Sequence, residues 1–232
     1  MSSSRTDLRL EVSPRVGSVP AILLHPPDAW LVYVLAHGAG AGMHHPFLES
    51  IATSLAERGV ATLRYQFPYM DAGRKRPDPP AVLESTARAA VRLGHQIAPQ
   101  LPVIAGGKSL GGRMTSSAVA TGSLENLRGL VFLGFPLHAP GQPGTGRSEH
   151  LLRVNLPMLF LQGTRDAFAQ LDLITEVCTS LGPTATLHLV DGGDHSFGVL
   201  KRSGRTRAEV MSELCDTLVD WARAHVLGGV PA

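Results

Sequence analysis

Cysteine, long apolar stretches and net charge are all scarce in this sequence. Its 232 residues include two cysteines, Cys178 and Cys215, too few and too scattered for a disulfide framework or a zinc site. No apolar run approaches the roughly 18 residues of a membrane helix. Residues 1–12 hold no apolar segment of the kind that forms a secretory signal. We therefore expect a cytoplasmic protein that does not span or bind a membrane.

The charge balance excludes further classes of protein. The formal net charge is +2, too weak to indicate a nucleic-acid partner. Hydrophobic residues make up 44% and charged residues 17%, which excludes a disordered chain. The length fits one domain with a sizeable core. We expect a single domain over residues 1–232, with a flexible N-terminus over residues 1–7.

Apolar runs alternate with amphipathic stretches along the chain, which is typical of a parallel sheet flanked by helices. The predicted strands are 8–12, 21–24, 30–36, 60–65, 103–106, 128–135, 157–162 and 184–190. The predicted helices are 47–58, 81–98, 110–120, 171–181 and 206–226. In such open α/β sheets ligands bind at the carboxyl ends of the strands. We therefore look for chemistry in the segments that follow a strand.

Residues 107–111, Gly-Lys-Ser-Leu-Gly, lie between a predicted strand and a predicted helix. They fit G-x-S-x-G, the nucleophile elbow, in which a sharp turn exposes the serine hydroxyl and glycines avoid backbone collisions. A Gly-rich connecting turn is the plainer interpretation. A phosphate-binding loop is disfavoured, because position 102 is proline where the G-x-x-x-x-G-K spacing requires glycine. Ser109 is therefore the candidate nucleophile.

Asp166 and His195 each follow a later predicted strand. A serine nucleophile needs a base, and the base needs a carboxylate that orients it. The chain order Ser109, Asp166, His195 is that of α/β hydrolases. As alternatives, Asp166 could cap the next helix and His195 could stack on Phe197 in a loop. Two rival acids stand nearer the histidine in the chain, Asp191 and Asp194.

Residues 37–40, His-Gly-Ala-Gly, follow the predicted strand 30–36. Acyl transfer needs two backbone N–H donors aimed at the oxyanion. We expect one from Leu110, the residue after the candidate nucleophile, and the other from Ala39 or, next, Gly40. A plain Gly-rich turn is the alternative. We expect His37 to brace this loop by hydrogen bonds rather than to act as a base.

Six segments together are similar to a known family. They are LAHGAGAGM (35–43), LRYQFPYM (63–70), GGKSLGGRM (106–114), FLGFPLHAPGQP (132–143), LFLQGTRDAF (159–168) and GGDHSF (192–197). The set resembles the α/β-hydrolase domain shared by testis-expressed protein 30 and the third subunit of the NSL chromatin complex. More widely it resembles the dienelactone-hydrolase-like group. The resemblance covers most of the chain and implies an α/β-hydrolase fold with Ser109, Asp166 and His195 as its triad.

The resemblance leaves the activity open. Dienelactone hydrolases carry a cysteine nucleophile, so their substrate class does not transfer to a chain with Ser109. We predict a serine hydrolase that cleaves a small-molecule ester or thioester through an acyl enzyme, without a cofactor. The adjacent His44 and His45 match no metal-binding pattern, so we expect no metal. The alternative is a weak or inactive hydrolase-fold protein that acts as a binding or complex subunit, as the chromatin subunit illustrates.

Four further residues of the matched segments could line a substrate site: His37, Arg64, Arg113 and His138. Arg64 could recognise a substrate carboxylate. Arg113, one helical turn after the candidate nucleophile, could reach the site or fix its helix to a neighbouring loop. The segment 136–156 is rich in glycine and proline and too short for a helical cap domain. We therefore predict an open site that suits small acyl groups.

Overall fold

A mostly parallel sheet forms the centre of the computed structural model, which describes residues 2–122 and 124–228. The strands are β1 (Ser4–Ser13), β2 (Gly17–His25), β3 (Leu31–Ala36), β4 (Val60–Tyr65), β5 (Val103–Lys108), β6 (Leu127–Leu133), β7 (Met158–Gly163) and β8 (Ala185–Val190). Among the described residues they form one eight-stranded sheet in the order β1-β2-β4-β3-β5-β6-β7-β8. β2 pairs antiparallel with β1 and with β4, and the other neighbours are parallel.

Helices cover both faces of this sheet. The α-helices are α1 (Pro46–Ala56), α2 (Pro68–Asp71), α3 (Pro80–Ile97), α4 (Leu110–Ala120), α5 (Leu171–Leu181) and α6 (Arg207–Ala222). Short 3-10 helices cover Gly146–Arg153, Gly182–Thr184 and Lys201–Ser203, and a π-helical turn follows at Arg223–Leu227. One core lies between the sheet and α3, α4 and α5, and a second lies between the sheet and α1 and α6. The predicted α/β architecture is confirmed.

Strand β3 shows why an unbroken apolar run predicts a central strand. All six of its side chains are buried. Val32 and Val34 belong to the core under α3 and α4, whereas Tyr33 and Leu35 belong to the core under α1 and α6. Successive side chains of a strand point to opposite faces, so a strand covered on both faces is apolar at every position.

The carboxyl ends of four parallel strands meet at one edge of the sheet. β3 is followed there by residues 37–42, β5 by Ser109, β7 by Asp166 and β8 by His195. β5 lies between β3 and β6, near the middle of the sheet. The topology therefore brings segments that are distant in sequence to a single place.

The start of the chain differs from the sequence-based expectation. The sequence predicts a flexible segment over residues 1–7, but residues 4–7 belong to β1 and pair with residues 22–25 of β2. The physical reason is that β2 offers unpaired backbone N–H and C=O groups, which a neighbouring segment satisfies even when its side chains are exposed. Met1 lies outside the described residues.

The segment 136–156 forms no cap domain in the part of the chain that the structure describes. It contains a turn and the 3-10 helix Gly146–Arg153, which lies against α4. Leu151 of this helix is fully buried. The prediction of a fold without a large cap is confirmed. No helix within residues 2–122 and 124–228 is long and apolar enough to cross a membrane.

Phe132 of β6 provides a test of the core. It is fully buried, with its ring centroid 4.8 Å from that of Phe160 and 5.1 Å from that of Phe135. Phe132→Ala should lower the free energy of unfolding by about 3–5 kcal/mol, because the change leaves a cavity between the sheet and its helices. Urea unfolding followed by circular dichroism measures this loss.

Leu152→Ala is the matched control, because the Leu152 side chain is 69% exposed. We expect this variant to change the free energy of unfolding by no more than about 0.5 kcal/mol. Equal losses in the two variants would contradict the placement of Phe132 in the core.

Candidate active site

Ser109 occupies a sharp turn between β5 and α4. Its backbone has φ 50° and ψ −115°, a conformation that residues with a side chain rarely adopt. The Ser109 N–H donates to the Leu133 carbonyl of β6 at 3.2 Å. Its hydroxyl does not cap α4, although it stands at the helix N-terminus. The turn therefore presents the Ser109 Oγ at the edge of the sheet.

Glycines make this turn possible, because neighbouring backbone fills the space of a side chain. A Cβ added to Gly106 would lie 1.9 Å from the Val131 carbonyl oxygen, and one on Gly107 would lie 2.2 Å from the Ala36 oxygen. A Cβ on Gly111 would lie 2.6 Å from the His37 oxygen. Only glycine fits at these three positions without moving a strand.

His195 joins Ser109 to Asp166. The His195 Nε2 lies 2.9 Å from the Ser109 Oγ, and its Nδ1 lies 2.7 Å from the Asp166 Oδ2. One tautomer satisfies both contacts: Nδ1–H donates to the carboxylate, and Nε2 accepts the serine O–H. The structure thus brings together the three residues that the sequence singled out. We call this set the Ser–His–Asp arrangement.

Asp166 is buried and held by three donors. Its side chain is 0% exposed, and besides His195 it accepts from the Phe168 N–H at 2.8 Å and the Gln162 amide at 2.5 Å. The Gln162 Oε1 in turn accepts the Phe135 N–H at 2.9 Å. Sequence reasoning missed Gln162. The signal for it is a polar residue near the end of an otherwise apolar strand, fully buried in β7.

The structure does not contain the alternative contacts that the sequence left open for Asp166, Asp194 and His195. Asp166 does not cap α5, whose N-cap residue is Gln170. The Asp194 carboxylate accepts the N–H groups of Ser196 and Gly198, each at 2.8 Å, and so shapes the turn around His195. The His195 ring packs on Phe168 with 4.3 Å between centroids, whereas the Phe197 ring stacks on that of Phe47.

A cavity of about 280 Å³ opens in front of Ser109 and His195. Its apolar wall comes from Ala39, Ala41, Phe47, Leu48 and Phe168. Two basic residues, Lys108 and Arg207, also line it. Among residues 2–122 and 124–228, no three His, Cys, Asp or Glu side chains lie together as they would around a metal ion.

Of the three residues predicted as oxyanion donors, Ala39 lines the same cavity. Ser109 lines it as well, and a Cβ on Gly38, the residue before Ala39, would lie 3.7 Å from the Ser109 Cβ. Leu110 is the first residue of α4, where backbone N–H groups have no acceptor within the helix. Gly40 has φ 71° and lies between two lining residues, Ala39 and Ala41, without lining the cavity itself.

His37 braces the loop after β3 and does not line the cavity. It is fully buried, its Nδ1 lies 2.8 Å from the Gly38 carbonyl oxygen, and its Nε2 accepts the Phe67 N–H at 3.0 Å. Burial lowers the pKa of His37 to about 4, so the ring is neutral at physiological pH. The interpretation of His37 as a substrate-lining residue is therefore wrong, because both ring nitrogens face backbone groups.

The substrate-lining interpretation is also corrected for Arg64, which lies in β4 with its side chain buried under the loop before α1, and for His138, which is buried in the loop after β6. The Arg64 guanidinium donates to the Met43 carbonyl at 2.9 Å and lies 3.7 Å from the Glu49 carboxylate. The His138 Nδ1 lies 2.8 Å from the Ala139 carbonyl oxygen. Neither side chain is among those that line the cavity in the described part of the chain.

Arg113 lies on α4 and is not among the residues that line the cavity. Burial and the nearby charge of Arg147 lower the pKa of Arg113. Arg147 belongs to the 3-10 helix Gly146–Arg153, so Arg113 faces the connection between that helix and α4. This position agrees with the sequence-based interpretation in which Arg113 fixes α4 to a neighbouring loop.

A second serine–histidine pair lies on the buried side of α4. The Ser116 Oγ is 2.7 Å from the His150 Nε2 and 2.9 Å from the Arg113 carbonyl oxygen. Ser116 is fully buried, so a substrate has no access to it. Burial, followed by the charges of Arg113 and Arg153, lowers the pKa of His150 to about 4. This pair attaches the 3-10 helix Gly146–Arg153 to α4.

The strand order, the strained serine turn and the strand-end histidine and aspartate together define the α/β-hydrolase class of protein. Residues 29–223 match the family described as alpha/beta hydrolase domain. The chain belongs to this family.

Solved structures of similar fold cover nearly the whole chain. A dienelactone hydrolase from Anabaena variabilis is 19% identical with a TM-score of 0.77, covering 97% of this chain and 100% of its own. A lid-less α/β serine hydrolase from Xanthomonas campestris is 20% identical with a TM-score of 0.73, covering 100% and 98%. A cold-adapted esterase from an Arctic intertidal metagenomic library is 18% identical with a TM-score of 0.69, covering 97% and 95%. The similarity at these identities concerns the fold.

Gly111→Ala tests the close contact under the serine turn. The added Cβ would lie 2.6 Å and 2.7 Å from the carbonyl oxygens of His37 and Ala36, which belong to backbone that cannot move freely. We expect the free energy of unfolding to fall by about 3 kcal/mol or more. Thermal unfolding measures the loss. Gly144→Ala is the control, because an added Cβ there meets nothing within 4 Å, and its free energy of unfolding should stay close to that of the wild type. A Gly111→Ala protein as stable as the wild type would contradict this packing.

Gln162→Leu tests the support of Asp166. The change leaves the buried Phe135 N–H without its acceptor and removes one donor from the Asp166 carboxylate. We expect a loss of about 1–3 kcal/mol in the free energy of unfolding, measured in urea. Gln142→Leu, at an exposed position, is the control. A Gln162→Leu protein as stable as the control would show that these hydrogen bonds do not hold the strand end.

Proposed function

We propose that this protein is a serine hydrolase that cleaves an ester or thioester bond through an acyl enzyme. The observation that carries the proposal is the Ser–His–Asp arrangement, with contacts of 2.9 Å and 2.7 Å, at an open cavity. This geometry matches the requirement that a serine be activated by a base that is itself oriented by a carboxylate.

In the proposed reaction the Ser109 Oγ bonds to the substrate carbonyl carbon while its proton passes to the His195 Nε2. The carbonyl electrons move to oxygen, and the N–H groups of Leu110 and Ala39 donate to that oxyanion. The bond to the leaving alcohol or thiol then breaks, and the leaving group takes the proton from His195. Water, deprotonated by His195, releases the acid and restores Ser109.

The absence of a cap in the described segment 136–156 supports hydrolysis. Water can reach the acyl enzyme through the open side of the cavity, whereas transfer to another acceptor requires its exclusion. A cavity of about 280 Å³ with an apolar wall suits a small acyl group, or one that extends into solvent. The esterase and the lid-less serine hydrolase of similar fold support this interpretation.

The proposal includes the narrower family type and the setting of the protein. We propose that residues 1–232 act as one domain of the type found in testis-expressed protein 30 and the third NSL subunit. The six sequence segments that resemble that type support this proposal. We also propose that it works in the cytoplasm on a small molecule, without a cofactor, nucleic acid or membrane.

Labelling with a fluorophosphonate probe tests the nucleophile. The wild-type protein should form a covalent phosphonyl adduct at the Ser109 Oγ with loss of fluoride, and Ser109→Ala should form none. Hydrolysis of a short-chain p-nitrophenyl ester should fall by at least about 10³-fold in Ser109→Ala and in His195→Ala. Intact-protein mass and absorbance follow the two reactions.

Ser116→Ala is the matched control, because the Ser116 hydroxyl also contacts a histidine ring, that of His150. It should label and hydrolyse like the wild type. Adduct formation that disappears in Ser116→Ala instead would place the nucleophile elsewhere. A folded wild-type protein that neither labels nor hydrolyses would favour the binding or complex-subunit alternative.

A further inference from the structure

Lys108 connects the strand of the nucleophile to the loop of the base. It is the last residue of β5, directly before Ser109, and its ammonium donates to the main-chain carbonyl of His195 at 2.5 Å. Gly134 makes room for this contact: a Cβ there would lie 3.0 Å from the Lys108 Nζ and 3.5 Å from the His195 Nδ1. The contact therefore reaches the backbone of the residue that must meet Ser109.

The Lys108 ammonium is held in a place that is unfavourable for a cation. Burial lowers the pKa of Lys108 to about 8, although the charges of Asp166 and Asp194 act in the opposite direction. The Phe197 ring, whose centre lies 5.6 Å from the Nζ, offsets only part of this cost through a cation–π contact. Its hydrogen-bond partner among the described residues is a neutral carbonyl, not a carboxylate. Such a cation costs folding stability, so its presence here calls for a functional reason.

The loop that carries His195 is attached to the end of β7, where residues 164 and 165 hydrogen-bond to residues 192 and 193. Residues 191–200 form turns without a helix or strand. Phe197 is buried and stacks on Phe47, and the Asp194 carboxylate closes the turn over Ser196 and Gly198. None of these contacts reaches β5. Among the residues that the structure describes, the Lys108 hydrogen bond is the one that links the His195 backbone directly to the strand end that presents Ser109.

We propose that Lys108 is a positioning residue, whose ammonium holds the main chain of His195 in register with Ser109. The inference rests on the proposed function, in which His195 must take the Ser109 proton. A displacement of about 1 Å at such a contact can reduce the rate about 100-fold. Loss of the hydrogen bond should therefore lower kcat and leave KM nearly unchanged.

The charge state of Lys108 adds a pH dependence to this role. The charged or titratable groups around it are Asp166 after β7, Asp194 and His195 after β8, and His45 and Arg207 across the cavity. As the pH rises through about 8, the ammonium becomes a neutral amine, which is a weaker donor to the carbonyl. We expect an alkaline decrease in kcat that depends on residue 108.

The same pKa shift predicts the sign of the effect on stability. Between pH 8 and the ordinary lysine pKa of 10.5, Lys108 is protonated in the unfolded chain and neutral in the folded chain. The penalty for burying the charge is therefore full below pH 8 and disappears toward pH 10.5. Lys108→Met should raise the thermal unfolding midpoint at pH 7, and the gain should shrink as the pH rises.

The test compares Lys108→Met and Lys108→Arg with Lys75→Met, which changes an exposed lysine in the loop after α2. In Lys108→Met we expect a loss of about 10- to 100-fold in kcat and in the rate of fluorophosphonate labelling, with KM within about twofold. Hydrogen exchange of the amides of residues 193–198 should become faster. Lys108→Arg should recover part of kcat and move the alkaline decrease to higher pH, and Lys75→Met should match the wild type.

Three outcomes would overturn the proposal. Wild-type kcat and exchange in Lys108→Met would show that the contact positions nothing. A loss confined to KM for esters with an anionic acyl group would make Lys108 a substrate-binding cation. A lowered unfolding midpoint that accounts for the lost activity would make it structural. If the wild-type protein itself fails to label, the proposed function fails, and the exchange of residues 193–198 alone decides whether Lys108 holds the loop.

Discussion

The rest of the structure depends on how closely the strand–turn–helix segment around Ser109 approaches its neighbours. β5 passes between β3 and β6, and α4 begins against the end of β3, at distances that leave no room for a Cβ at Gly106, Gly107 or Gly111. This approach allows the chain to turn within one residue, and that residue adopts φ 50°. The cost of such strain, about 1–3 kcal/mol, is offset by the packing of the sheet and helices around it. The position of the candidate nucleophile is thus a consequence of backbone contact.

A line of buried polar groups then sets the geometry around that serine. It runs from the Phe135 N–H through Gln162, Asp166 and His195 to Ser109, with Lys108 returning to the His195 carbonyl. A polar group removed from water must find a partner, so each member limits where the next can lie. The arrangement is rigid on its buried side and open toward the cavity, where the His195 side chain is 20% exposed.

In the segments around the cavity, buried polar side chains also pair with partners inside the protein. The buried His37 holds the Phe67 N–H, and the buried Arg64 holds the Met43 carbonyl, so that each charged or titratable side chain acts on backbone rather than on a ligand. The cavity is left with an apolar wall and two basic residues, Lys108 and Arg207. A substrate therefore meets a site whose polar groups are concentrated at the reacting bond, which is the usual design of a small-molecule site.

The sequence by itself determined the α/β fold, the elements of the sheet and the place of the site. Apolar runs, helical spacing and strand-end glycines are local features, and the parallel topology turns the chain order of Ser109, Asp166 and His195 into proximity. The tertiary structure alone decided which buried polar groups pair. It assigned Gln162 to Asp166 and Lys108 to the His195 carbonyl, and it turned the Arg64 and His138 side chains onto backbone carbonyls. It also paired residues 4–7 with β2. These choices depend on distances of a few tenths of an ångström between segments far apart in the chain, and residue type and spacing do not carry that information.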